Sequence, residues 1–376
     1  MKHLFSAGLL VVGLSAGIVI GKATSRKPTD PEQAELDSPE KRSGKRERSS
    51  RADSPTNNID RIRKAKPGEL PSLTRNAIHL SDPVEMRRQL TECLLHMDAS
   101  NWQEVVDAFA KLSRETGRDQ GEEWKLSLFR SGQVAGEQAM NLRLKDGLDK
   151  KSDSNWHTLY GWSSKDSHAA LAWLRKAETD GHPVSNECYG AIIAGAALAD
   201  PKDALKLLAG IPADRRGGCA GNLTWNVVQS GGVEALDEVL QFASKLDKSD
   251  PQNEQFANNL FNQSAEKLLW KADHARDVDQ ASDVVIKLTQ YGQDPTDATL
   301  SALQRYRWYY MPDKLKLLNN VTSSDQVSDL NLPTLTSFVL GTMNGDGDKA
   351  AVIEWMNKNP SSPLVPHIEK RVPRSQ

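Results

Sequence analysis

The sequence predicts an all-α protein: an α-solenoid of helix-turn-helix repeats about 34 residues long, carried behind a disordered tether. Three observations predict it. A short motif recurs, with Asp166-Ser-His-Ala-Ala-Leu-Ala-Trp-Leu174 and Asp200-Pro-Lys-Asp-Ala-Leu-Lys-Leu-Leu208 lying 34 residues apart. Helix-start signals precede apolar residues at helical spacing, as in Asp82-Pro83-Val84-Glu85 followed by Met86, Leu90, Leu94 and Met97. No stretch shows the alternation of a strand bounded by hairpin turns.

The chain opens on an apolar run. Leu4 to Gly21 carries no charge, and Met1, Lys2 and His3 give it a short basic start. That is the layout of a secretory signal peptide, with Gly21 and Ala23 at the −3 and −1 positions of a cut after Ala23. An uncleaved membrane helix is the competing expectation, since eighteen residues span roughly 27 Å. Gly13, Gly17 and Gly21 would then form a face on which two helices approach closely. Lys22, Arg26 and Lys27 would favour a cytoplasmic C-terminal side. The expected address is outside the cytoplasm, in the periplasm or cell envelope.

From Ser25 to Asn58 the apolar residues are Ala34, Leu36 and Ala52. Such a stretch cannot offset its ordering entropy, which predicts disorder. Lys41 to Arg51 carries six basic residues and one acid, a spacer or an anion-binding patch. The expected boundaries are a signal peptide or membrane anchor over 1–23 and a disordered charged linker over 24–73. A helical repeat domain over 74–360 and a C-terminal tail over 361–376 follow.

Within the repeat region the register marks fall at 166, 200, 231, 277, 310 and 346. Each mark is a breaker, then a small residue, then an apolar pair. The small residue lets helices approach, and the apolar pair fills the groove to the next hairpin, which a lone hairpin could not bury. Two weaker copies are expected near Ser100 and Ser131. The long interval from 231 to 277 holds the polar stretch Lys245 to Glu254 and predicts a longer loop or an irregular hairpin there.

Gly161-Trp162-Ser-Ser-Lys-Asp166-Ser-His-Ala-Ala-Leu-Ala-Trp173-Leu174 resembles one unit of a degenerate bacterial repeat that reads roughly Trp, Ala, Asp-Pro, Ala-Ala, Trp-Leu. The units are similar in length to tetratricopeptide repeats, but the Trp-Leu-Gly-Tyr and Ala-Phe-Pro positions of that pattern do not line up. The resemblance implies an exported, anchored helical array with no catalytic residues to carry over.

Composition narrows the function. Basic and acidic residues nearly cancel, 48 against 50, which does not indicate a nucleic-acid binder. Three cysteines form no disulfide framework and fit no zinc spacing, although one disulfide plus one thiol is open to an exported chain. Asn344-Gly-Asp-Gly-Asp-Lys349 begins like a calcium loop but puts Lys349 and Trp355 where Gly and Glu are required. His157 and His168 could share a hairpin, but no cysteine or carboxylate ligand spacing accompanies them. No catalytic residue, cofactor or metal is therefore expected.

Seven of the nine tryptophans, Trp102, Trp156, Trp162, Trp173, Trp225, Trp308 and Trp355, fall at repeat positions, where inter-helix packing is expected. The exception is Tyr306-Arg307-Trp308-Tyr309-Tyr310. Successive helical residues turn by about 100°, so five large side chains in a row cannot all face inward. Tyr306, Arg307, Tyr309 and Tyr310 are the candidate partner-binding residues, being of the types found at binding hot spots. The expected function is a non-catalytic scaffold for an unidentified protein or peptide. The alternative is an all-helical enzyme acting on a polysaccharide, with these residues and His157 as suspects.

Overall fold

Apolar residues at helical spacing pull the chain into order earlier than its composition suggests. Helix α1, Pro55–Arg63, buries Ile59 and Ile62 against Leu70, Leu90, Cys93 and Met97. The helical part therefore starts within the expected 24–73 linker, because Ile59 and Ile62 share one face of a helix. The computed structural model describes residues 55–374 apart from 67, 117–120, 150–151 and 306–309. Residues 4–21, expected to be a signal or anchor, lie outside the described residues. Among the described residues no helix is long and apolar enough to cross a membrane.

All named elements are helical, with one isolated parallel bridge between Leu148 and Val184. Helix α2 is Leu70–Ile78 and α3 is Pro83–Leu95. Asp82 Oδ1 accepts the N–H groups of Val84 at 2.9 Å and Glu85 at 3.4 Å, so α3 starts where the sequence predicts. Helix α4, Trp102–Thr116, starts near the mark at Ser100. Ser131 starts no helix, because it lies buried inside α5, Gly121–Arg143.

Helix α5 joins two apolar clusters. Ala139 belongs to the cluster of α1 to α5, and Met140 to the one that runs on to Val372. It kinks at Gly136, where φ is 40° and ψ −109°. Only glycine enters that region cheaply, and a Cβ there would sit 2.9 Å from the indole nitrogen of Trp162.

Beyond α5 the helices alternate. The first helices are α6 (Asp153–Ser163), α8 (Asn186–Ala199), α10 (Cys219–Gly231), α12 (Pro251–Ala275), α14 (Pro295–Arg305), α16 (Leu332–Gly341) and the short α18 (Val365–Glu369). The second helices are α7 (Ser167–Thr179), α9 (Pro201–Ala209), α11 (Leu236–Ser244), α13 (Val278–Gln290), α15 (Met311–Thr322) and α17 (Asp346–Lys358). Each first helix packs against the next first helix along the chain.

Local chemistry sets the starts of the second helices. Asp166 accepts the Ala169 N–H at 2.9 Å, Asp200 that of Lys202 at 2.9 Å, and Asp277 that of Gln280 at 3.0 Å. Ala170, Ala204 and Ala281 follow these caps and are fully buried. Three copies depart from that pattern, and the one at Gly231 has no aspartate cap and leaves Ala235 only half-buried. Lys314 occupies the place of Ala204 and is buried, its Nζ donating to Thr342 Oγ1 at 2.7 Å. Ala350 is exposed, and Val352 and Met356 fill the core instead.

The long interval does not become a long loop. Its extra residues lengthen α12 to 25 residues, starting at Pro251 behind the Asp250 cap. The expected tail over 361–376 is also corrected. Leu364, Val365, Ile368 and Val372 are buried in the large cluster, since their spacing makes one apolar stripe.

Candidate functional site

Small residues draw the first helices unusually close. A Cβ on Gly161 would lie 1.8 Å from the Phe129 carbonyl oxygen, and one on Gly195 would lie 1.9 Å from Ser163 Oγ and 2.4 Å from the Tyr160 carbonyl oxygen. Helix α8 is buried from Cys188 to Ala197 on all sides. Its flanking helices are close enough for Tyr160 on α6 to donate its hydroxyl to Asn226 Oδ1 on α10 at 2.7 Å.

Around that bridge lies a run of aromatic and amide side chains. The Tyr160 ring packs 4.8 Å from Phe129 and 4.9 Å from Trp156, and Trp156 lies 4.8 Å from His157. On α10, Asn222 and Asn226 sit one turn apart, with Asn226 Nδ2 donating to the Asn222 carbonyl at 2.8 Å. Trp225 lies beside them and is 51% exposed. Lys267 of α12 places its ammonium 5.0 Å from the Trp225 ring. One turn on, Trp270 is 55% exposed and stacks 4.0 Å from His274. Glu266 holds Lys267 at 3.2 Å.

At one end of this run a cleft of about 260 Å³ opens between the N-termini of α6 and α8. Asp153, Asn155, Trp156, His157, Glu187 and Asn222 line it, with the N-cap residues Ser152 and Ser185. Neither serine caps its helix through its side chain. Asn155 Nδ2 donates to the Gly147 carbonyl at 2.8 Å, which fixes the amide orientation. Its Oδ1 is buried and has no hydrogen-bond partner among the described residues. Burial holds the His157 pKa down at about 4, so the ring is neutral at neutral pH.

Compared with family models, curated proteins and solved structures, the chain matches none.

The sequence-based candidates fare unevenly. Tyr306, Arg307, Trp308 and Tyr309 lie outside the described residues. Tyr310 is 81% exposed at the start of α15 and does not cap it through its side chain. Trp102, Trp162 and Trp173 are buried as expected for packing, but Trp225 is not. His157 reaches the cleft, whereas His168 faces Asp203 at 3.2 Å on the second helices. Ser167 donates to the other oxygen of Asp203 at 2.9 Å. The carboxylate sits between serine and histidine, so the imidazole is not placed to take the serine proton as a nucleophile-base pair requires. Among the described residues no group of three or more His, Cys, Asp or Glu is placed to hold a metal ion.

Spacing and composition do not single out Tyr160, Asn226 or Trp270, and Asn222 carries only the Asn-Leu-Thr pattern of a glycosylation acceptor. The available signal was pairwise: Asn222 with Asn226, and Trp270 with His274, are each four apart and so share a helix face.

Proposed function

We propose that this chain is a non-catalytic binding scaffold, a solenoid of stacked helical hairpins whose first helices hold an extended peptide. The observation that carries the reading is the pair Trp225 and Trp270. They sit on neighbouring first helices, each more than half exposed, with Lys267 against the first of them. Indoles left in water are favourable contacts waiting for a partner, and tryptophan is a leading hot-spot residue. The half-buried Asn222 beside them donates its Nδ2 to the Gly218 carbonyl, and its oxygen can accept from a peptide backbone. The stacking of first helix on first helix supports the solenoid, since such arrays offer a long binding surface.

The test is selection of phage-displayed dodecapeptides on the full chain and on a Trp225→Ala/Trp270→Ala version. Both residues are largely exposed, so the two proteins should melt alike. Peptides enriched by the first and lost by the second support the reading. Equal enrichment on both, or none, overturns it.

The second reading, cleavage of a polysaccharide, draws on Asp153, Glu187 and His157 sharing the cleft. The cleft volume, about 260 Å³, lies below the range of roughly 300–1,000 Å³ usual for small-molecule sites. That favours a pocket for one side chain over a sugar chain. Release of reducing ends from cell-wall glycans would reverse the order of the two readings.

Residues 4–21 suggest export to the periplasm or envelope, with membrane attachment if they stay uncleaved. A C-terminal alkaline phosphatase fusion tests the side of the membrane. N-terminal sequencing of the mature chain tests cleavage after Ala23.

A further inference from the structure

The two layers of the array are joined in different ways. On the first-helix side α6, α8 and α10 pack directly on one another. Gly190 and Gly195 of α8 bring it against the backbone at Gly218 and Tyr160, and contact that close has no slack. The second helices change character along the chain. From α13 to α15, and from α15 to α17, they pack on each other. From α9 to α11, and from α11 to α13, their backbones make little contact.

Charged side chains span those two gaps. Lys202 of α9 lies 3.2 Å from Glu238 of α11. The residue before it, Asp237, pairs with Lys287 of α13. Successive helical residues turn by about 100°, so two adjacent acids reach opposite neighbours. The four side chains are between 34% and 71% exposed, which opens both pairs to screening by salt. Helix α11 also packs on α12, but that contact is apolar and has no preferred direction. Asp279 and Lys316 pair at 2.8 Å between α13 and α15, where the helices already touch and the joint does not depend on charge.

We infer that the hairpin of α10 and α11 is a charge-strapped hinge that opens on its second-helix side as ionic strength rises. The tight first-helix contacts are its pivot, and the Lys202–Glu238 and Asp237–Lys287 pairs are its straps. The hairpin carries Trp225, and the next one carries Trp270, so the hinge sets the spacing of the two indoles. The device stands on these contacts and not on what the indoles bind.

The test is double electron–electron resonance on the full chain without ligand. Nitroxides are placed on Ala209→Cys and Asp283→Cys, exposed positions of α9 and α13 that span the hinge. A second protein carries them on Asp283→Cys and Ala350→Cys, which span the packed joints from α13 to α17. The native cysteines are buried and take no label. The hinge span should lengthen by roughly 3 Å or more between 0.1 M and 1 M NaCl, as the screening length falls from about 10 Å to about 3 Å. The packed span should hold still. Asp237→Asn/Glu238→Gln should give the long distance already in 0.1 M NaCl and respond little to more salt. A hinge span that stays put or shortens in salt overturns the proposal, as does a variant that behaves like the parent. Equal lengthening of both spans also overturns it, because salt then loosens the whole chain. If the variant does not fold, the salt titration of the labelled parent decides.

Discussion

Tyr160 donates its hydroxyl to Asn226 Oδ1 at 2.7 Å, tying α6 to α10 across the wholly buried α8. The two residues are 66 positions apart, and the bond exists only because glycine and alanine on α8 let its neighbours close in. Burial pushes the Tyr160 phenol pKa up to about 12, so the hydroxyl stays a donor throughout the working range of pH.

Removing that hydroxyl should cost stability. Tyr160→Phe leaves the buried Asn226 oxygen without its donor, a loss of about 1–2 kcal/mol. Tyr310→Phe, at an 81% exposed position, should stay within about 0.5 kcal/mol of the parent. Urea unfolding of the two variants checks both values.

Close helix packing sets a second expectation. In Gly161→Ala the new methyl meets the Phe129 backbone, which cannot rotate away, and the cost should be about 1–3 kcal/mol or more. Gly195→Ala should behave similarly, since the Tyr160 carbonyl oxygen would lie 2.4 Å from the added carbon. Gly341→Ala has nothing within 4 Å and ends a helix, so it should be neutral or stabilising by up to about 1 kcal/mol. Comparison of urea midpoints at constant m-value decides the ordering.

His157 makes stability depend on pH. Its pKa is about 4 when folded, against about 6.5 for an ordinary histidine. Protonation therefore favours the unfolded chain. The contribution is fully present above about pH 6.5 and is lost progressively as pH falls towards 4. A fully shielded shift of this size would carry roughly 3 kcal/mol, and the part exposure of the ring reduces that. Between pH 7 and pH 4.5 the parent should lose more stability than His157→Gln. Equal losses would show that other groups carry the acid sensitivity.

The cysteines should be inert in the native state. Cys93, Cys188 and Cys219 are all free and buried, and burial raises the Cys93 and Cys219 thiols to about 11 and about 12. The thiolate is the reactive form, so a disulfide-exchange reagent at pH 8 should label none of them within minutes. All three should react once the chain is unfolded in urea. A native disulfide, the other expectation for an exported chain, would leave a single reactive thiol.

Much of the helical framework was legible in the residues. All six register marks fall at or within a few residues of the start of a second helix, from Asp166 before α7 to Asp346 opening α17. The site was less legible. Trp173 and Trp225 read alike as packing residues, yet the first is buried and the second half exposed. Which face of a helix is covered depends on the helix lying against it, and spacing within one helix does not report that. Asn155 illustrates the same point. Its Nδ2 bonds the Gly147 carbonyl before α6, and its buried oxygen has no partner among the described residues.

The sequence by itself determined the all-helical class and the helix starts. Those rest on aspartate caps, N1 prolines and apolar spacing, interactions that reach three or four residues along the chain. It also determined that Ile59, Ile62, Leu364 and Ile368 have an apolar face to hide. Only the tertiary structure decided that those faces join the two apolar clusters, that α8 is buried all round, and that a cleft opens between α6 and α8. The physical reason is range. A cap closes on its own turn, but burial arises where helices far apart in sequence meet.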